Sequence, residues 1–474
     1  MAARGRAFSN EMQDALKPVG SLNDLGTVAM LDRRYASLQS RKSFSERAIT
    51  PLTAGGLRQS ILTLVQTSLG GGVLTLAFAM RLSGLGLGLV LMMVLGLVAF
   101  MGMDVMMRGA VQLQAFDTAT LLARCVGPWS GPAMDLLLVL YGNGALVAYF
   151  ILLGDFLPAI VTDLVQMSVI SPPQLSAQDL RTRCILSTLI VVVPLSIPRK
   201  LSALRYASPI ALISILYFST TVLTNAPGLI LAHLGQPEYG EIQWFNVDWN
   251  FFKSFSILLF AFNCHLNVVP VCSELTDPSD YRITKICRRV AMVEVIFYTF
   301  IAAGGYLSFL AVTDQNILRN YGTSFAVTLC RILLSFTILV GIPTNLLPTV
   351  RSFKGFIENL TGAAKTPPME APLLPTESPT NGAVGTATTS SEVFRLLLTA
   401  FCLALEVVVA IAVPNVADVM GFLGASVGTI LMMVLPLTVL VKARPKDYST
   451  ARVWLTGLLL LMSSLTAFTA LVVM

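Results

Sequence analysis

The sequence predicts an all-α membrane protein made of two inverted five-helix repeats and an eleventh transmembrane helix. Three observations carry this expectation. Hydrophobic residues make up 55% of the 474 and charged residues only 12%, about half the charge of a soluble domain. Eleven apolar runs approach the ~20 residues a helix needs to cross a bilayer. The first and sixth runs are each interrupted in the middle. A chain so poor in charge cannot clothe the soluble domains its length would require. That sets aside a soluble enzyme, a nucleic-acid binder and a disordered chain, and makes the lipid bilayer its surroundings.

In order along the chain, residues 1–57 form a polar, basic N-terminal tail with no sustained period, expected to be cytosolic and largely disordered. No cleavable signal peptide is read there, because the first apolar run is internal. Spans are expected at 58–80, 85–107, 133–158, 184–198, 206–232, 251–273, 290–312, 323–350, 394–413, 416–441 and 453–473. The fourth is the shortest, and carries Pro194 and Pro198. Residues 355–391, rich in Pro, Thr and Ser, read as a disordered cytosolic loop. Its sequon Asn359-Leu360-Thr361 should stay unglycosylated there. Repeat one covers 58–232 and repeat two 251–441, with 453–473 the extra helix of a domain spanning 58–473.

The Lys and Arg residues check the span count. Twenty-six of the 32 fall in the tail up to Arg58 and in the loops after the even-numbered spans, Arg395 at the edge of span 9 included. The other six are Arg81, Arg181, Arg183, Lys253, Arg319 and Arg331. Basic residues stay cytosolic, so the N-terminus should be cytosolic and the C-terminus extracellular or lumenal. Plasma membrane and vacuolar or lysosomal membrane remain open. The net charge of +6 is then loop charge rather than the sign of an acidic partner. The seven cysteines show no CxxC pairing and mostly lie in apolar runs, so they read as buried small residues with neither disulfide nor metal site.

The breaks carry the chemistry. Span 1 reads LTLVQTSLGGGVLTLAFAM. Gly70, Gly71 and Gly72 together cost a helix ~3 kcal/mol relative to alanine. Close packing would want small residues four apart, whereas three in a row free backbone, and free backbone in a membrane must line a cavity or bind something. The N–H groups that begin the second half suit a carboxylate. Span 6 reads FSILLFAFNCHLNVVPVCSEL, interrupted by Asn263, Cys264, His265 and Asn267. Such residues are costly in hydrocarbon unless they face a polar interior. Breaks in spans 1 and 6 mark an inverted-repeat secondary transporter, and five spans per repeat, an odd number, make the second start from the opposite side.

These residues resemble the amino acid/auxin permease family, and look closest to its sodium-coupled neutral amino acid transporter branch. LGGGVLTLAFAM (69–80) is similar to the family's first-span motif. CVGPWSG (125–131) is similar to its G-P-W-G element, and Tyr149 with Pro158 keeps its span-3 spacing. FAFNCHLNVVPVCSEL (260–275) is the most specific match. Pro343, Pro348 and Arg351 fit the end of span 8, and VPNVADVMGFLGA (413–425) fits the turn before span 10. The resemblance implies the LeuT-type 5+5 fold, amino acids as the substrate and no cofactor. It departs from the branch at two places. Gln66 stands where the branch has Asn, and Leu339–Ile342 lack the Thr that precedes the first Pro of span 8. A dehydrated cation needs several oxygens, and two side-chain ligands are missing.

The expected function is therefore amino acid transport by alternating access, of neutral substrates, proton-coupled or facilitative. The alternatives are sodium-coupled symport and a sensor that binds without transporting. The expected substrate-binding residues are Thr67, Ser68, Gly70, Gly71, Gly72, Tyr149, Asn263 and His265. The α-carboxylate would meet the glycine N–H groups, and the α-amino group the carbonyls around Ser68 and Asn263. The proton-coupling candidates are His265, which titrates near neutrality when unperturbed, and Glu406 in mid-span 9, where a helix–helix hydrogen bond is the competing reading. Glu294, four residues into expected span 7, reads as solvated near the cytosolic surface, and Asp155 as an interfacial or gate residue. Gly424-Ala425-Ser426-Val427-Gly428 matches the hydrolase pattern G-x-S-x-G. Both histidines, His233 and His265, precede it, and its glycines make a packing face instead.

Overall fold

The computed structural model describes residues 56–169, 171, 175–198, 207–361, 387–445 and 448–473. The expected disordered tail lies outside these residues except for its last two, and so does the loop core, 362–386. The two ends of that loop are helical: the helix of span 8 runs to Leu360 and that of span 9 begins at Ala387.

Helices occupy all eleven expected places. Span 1 is Leu57–Ser68 and Leu76–Ser83, joined through a 3-10 turn at Gly71–Thr75 and bent by 50°. Span 2 is Leu85–Gln112, span 3 Ser130–Gln166, span 4 Ala177–Ser196 and span 5 Ala207–His233. Span 6 is Asn250–Ala261 and Val268–Ser273 around a short 3-10 turn, His265–Asn267. Span 7 is Asp280–Phe309, span 8 Phe325–Leu360, span 9 Ala387–Ala412 and span 11 Thr450–Val473. Span 10 runs from Val416 to Lys442 and widens into π-helix at Gly424–Gly428 and Ile430–Val434. Among the described residues nine helices are long and apolar enough to cross a membrane, ten with the bent pair. Span 4 is not one of them. It carries Asp179, Arg181 and Arg183 in its first two turns.

The helices pair by repeat. Span 3 packs along span 8 and span 2 along span 7; the second half of span 1 lies on the first half of span 6, and span 4 touches span 9. Four of the five counterpart pairs of an inverted repeat are thus in contact. The outer surface is apolar: Trp454, Leu458, Leu461 and Leu465 form an exposed stripe on span 11. In lipid such a stripe needs no cover, and helices associate through packing and polar contacts instead.

Polar side chains tie the two ends of the bundle. At the end where span 1 begins, hereafter the N-terminal face, buried Asp104 of span 2 accepts from Arg108 (3.0 Å), Thr284 (2.7 Å), Arg452 (3.3 Å) and the Tyr448 hydroxyl. Burial pushes the Tyr448 phenol up from its ordinary value, and neighbouring Asp104 adds to this, so the hydroxyl stays a donor. At the opposite face Arg331 pairs with Asp163 at 2.6 Å, and Thr323 and Thr328 donate to the same carboxylate. Asp155, buried, pairs with Arg319 at 2.5 Å and accepts from Asn316 at 3.0 Å.

One acid departs from its expected place. Glu294 is fully buried in the middle of span 7. The helix starts at Asp280, ten residues before the apolar run, because the charged stretch 280–289 is its first turns rather than a loop.

Candidate functional site

The break in span 1 follows from Leu69-Gly70-Gly71-Gly72. The helix ends at Ser68, and Leu69 (ψ 57°) and Gly70 (ψ −153°) leave helical geometry before the 3-10 turn restarts the chain. The first hydrogen bond of the second half runs from Val73 N–H to the Gly70 carbonyl at 3.3 Å. The N–H groups of Gly71 and Gly72 therefore precede every bond of the half they begin. The Ser68 carbonyl is already used. It accepts from Gly70 N–H at 2.7 Å and from the Tyr298 hydroxyl at 2.7 Å. The same hydroxyl reaches the Ala261 carbonyl at 3.0 Å, at the end of the first half of span 6. One tyrosine of span 7 thus bridges the two broken helices.

A cavity of about 390 Å³ opens at the break, within the range of small-molecule sites. Span 1 contributes Thr63, Gln66, Thr67, Gly70 and Gly71, span 6 Asn267, and span 3 Tyr149. Span 5 adds Ile215 and Phe218, and span 8 adds Leu334, Thr337, Ile338, Gly341, Thr344 and Asn345. Asn267 Nδ2 donates to Thr67 Oγ1 at 3.0 Å, which itself donates to the Thr63 carbonyl at 2.8 Å. A methyl group on Gly70 would stand 3.8 Å from the Tyr149 hydroxyl, and one on Gly341 3.5 Å from its ring. Tyr149 therefore stands between span 1 and span 8. No Asp, Glu, Lys, Arg or His is among the described lining residues. The cavity lies toward the N-terminal face, with Thr63, Thr344 and Asn345 on that side, whereas the Asp155–Arg319 and Asp163–Arg331 pairs stand at the other end.

Of the residues expected at the site, Thr67, Gly70, Gly71 and Tyr149 line the cavity together. Ser68, Gly72, Asn263 and His265 do not. The Ser68 hydroxyl bonds the Val65 carbonyl at 3.0 Å, and Gly72 packs on Ala261 of span 6. Asn263 turns toward span 10, near Gly428, and its Oδ1 accepts from His265 N–H at 3.2 Å. His265 points away from the cavity into the slot left by Gly102 of span 2, where a methyl group would meet Nε2 at 2.8 Å. Glu406 is buried in span 9 beside Cys402, outside the cavity lining. The sequence reading missed Asn267 and the span 8 wall. For the latter a signal existed: Thr337, Gly341 and Thr344 recur at i, i+4 and i+7, one face of a helix. Ile215 and Phe218 carry no such mark, because an apolar cavity wall looks like any lipid-facing or packed residue.

The chain is similar to known amino acid transporters. Residues 53–474 match the family described as transmembrane amino acid transporter protein. A protein of Toxoplasma gondii named as an amino acid transporter is 35% identical over 320 residues, 67% of this chain. The match spans only 43% of that relative's own length. Vacuolar amino acid transporter 5 of Saccharomyces cerevisiae is 28% identical, with 80% of this chain and 87% of that protein covered. The crystal structure of MhsT in complex with L-phenylalanine superposes with a TM-score of 0.51 at 14% identity, covering 86% of this chain and 98% of that one. The all-helical fold is thus of the LeuT type.

Proposed function

Because the chain belongs to the transmembrane amino acid transporter family, we propose that it is a secondary transporter of neutral amino acids, working by alternating access and driven by protons or by the substrate's own gradient. The observation that carries this reading is a cavity without charged side chains at a break in span 1. A zwitterion needs an anion site and a cation site but no net counter-charge. The Gly71 N–H, at the start of a half-helix, supplies donors and a positive dipole end for the α-carboxylate. Asn267, whose amide nitrogen is committed to Thr67, keeps its carbonyl oxygen for the α-ammonium group. Ile215, Phe218, Leu334 and Ile338 offer an apolar wall to the side chain, and Tyr149 covers the site. A charged substrate side chain would be desolvated there without a partner, which favours neutral amino acids.

The distribution of Lys and Arg supports a cytosolic N-terminal face. The cavity then lies on the cytosolic side, with ion pairs sealing the other. The relatives named as vacuolar favour an internal membrane. The test is uptake of each of the twenty amino acids into liposomes containing the purified chain. Saturable uptake of neutral amino acids, with charged ones excluded, is expected. Binding without flux would make the protein a sensor, and preference for a charged amino acid would refute the neutral site.

A further inference from the structure

Glu294 is a buried acid that the cavity does not use. It is fully buried at mid-span 7, and neither carboxyl oxygen makes a hydrogen bond of good geometry, the Ser68 and Cys264 side chains being only close neighbours. It stands beside Ser68, the last helical residue before the break in span 1, and Cys264, within the break in span 6. One turn further along the same helix face, Tyr298 bonds the Ser68 and Ala261 carbonyls. Span 7 therefore holds both broken helices through two neighbouring side chains, one satisfied and one not. Most buried polar groups are satisfied, so an orphan acid calls for an explanation.

Among the described residues no cation pairs with it. The titratable groups facing Glu294 are Cys264 and Tyr298. From span 2, Arg108 is held by Asp104 and Asp280, the latter at the start of span 7. From span 1, Arg81 reaches the Thr313 carbonyl, and from span 5, Tyr217 reaches that of Ala326. From span 6, His265 turns to Gly102 of span 2. An ionised carboxylate there would be an uncompensated buried charge, so the neutral acid is the form this arrangement accommodates.

We propose that Glu294 is the proton-binding site that couples the two broken helices, a proposal that rests on the transport reading above. The acid is protonated in the arrangement seen here. When the halves of spans 1 and 6 rearrange, water reaches the carboxyl: its O–H bond breaks, the electron pair stays on oxygen and the proton passes to water. The carboxylate then takes up backbone N–H groups freed at the breaks. Proton occupancy and helix arrangement are thereby linked, and each biases the other. His265 and Glu406 lack this position, since neither lies beside both breaks.

The experiment uses the full chain in liposomes, with a neutral amino acid that it transports. An imposed pH gradient should raise wild-type uptake roughly tenfold, within the usual range of coupling between sites. Glu294→Gln should lose that stimulation and keep substrate-for-substrate exchange without a gradient. Stimulation surviving in Glu294→Gln, or lost instead in Glu406→Gln or His265→Gln alone, overturns the assignment. So does stimulation by a sodium gradient that replaces the pH response. Should Glu294→Gln not purify as a folded protein, Glu294→Asp keeps the acid on a shorter stem, and an unchanged pH profile of uptake overturns the proposal. Wild-type uptake indifferent to pH refutes the proton site alone, whereas absence of any uptake refutes the transport reading with it.

Discussion

At the scale of single residues the site depends on what glycine leaves open. A methyl group on Gly71 would stand 3.0 Å from Leu152 Cδ1, 3.4 Å from Met420 Cε and 3.6 Å from the Tyr149 ring. Valine adds two further carbons to that space. Gly71→Val should lower uptake at least tenfold, about 1.4 kcal/mol, with normal surface expression; full uptake in that variant would remove the site from span 1. Tyr298 makes the opposite kind of contribution, a donor placed between two freed carbonyls. Tyr298→Phe leaves both less satisfied and should cost about 1–3 kcal/mol of stability. A melting temperature in detergent equal to the wild type would show that water replaces the hydroxyl. One of the carbonyls expected to meet the α-amino group is that of Ser68. The Ser68 carbonyl is occupied, and the cavity presents Asn267 instead.

At the scale of elements, the face opposite the N-terminal one is tied by ion pairs of unequal worth. Asp163 and Arg331 join spans 3 and 8 and are almost wholly buried, with two threonines and two backbone carbonyls completing the set. Asp163→Ala leaves a buried guanidinium without its anion and should destabilise by about 3–5 kcal/mol. Lys253 and Asp418 join spans 6 and 10 at 2.6 Å but are 30% and 43% exposed. Asp418→Ala should cost at most about 1 kcal/mol. Thermal unfolding of the two variants side by side checks the order, and equal losses would mean that water reaches the Asp163 pair. Spans 6 and 10 are joined more firmly by packing. A methyl group on Gly424 would collide with the Ser256 carbonyl oxygen, so the G-x-S-x-G match is a close helix contact.

At the scale of the whole molecule, the proposed alternating access makes a cavity toward the N-terminal face one end state to be tested. With the N-terminal face in the cytosol, a cysteine at Asn345 should react with a membrane-impermeant maleimide applied from that side. A cysteine at Asn316, buried beside Asp155, should resist labelling from the opposite side. Saturating substrate should slow the first and leave the second unchanged in this state. Labelling of Asn345→Cys only from the other side would invert the topology drawn from the Lys and Arg distribution.

The sequence by itself determined the class, the helix positions and the inverted repeat. A membrane leaves only helices or closed barrels to satisfy the backbone, and glycine or asparagine in an apolar run marks a break wherever it occurs. Four of the residues it singled out, Thr67, Gly70, Gly71 and Tyr149, line one cavity, the first three because a break displays its own backbone. Only the tertiary structure decided where the remaining polar groups point. Asn263 and His265 sit in the break of span 6 but turn to spans 10 and 2, while Asn267, two residues on, enters the cavity. Over a few non-helical residues no period assigns a face, so neighbours in sequence diverge in space. Span 7 carries the same lesson at its start. Hydropathy ended it at the charged stretch 280–289, whereas packing against span 2 continues the helix to Asp280 and so buries Glu294 at its centre.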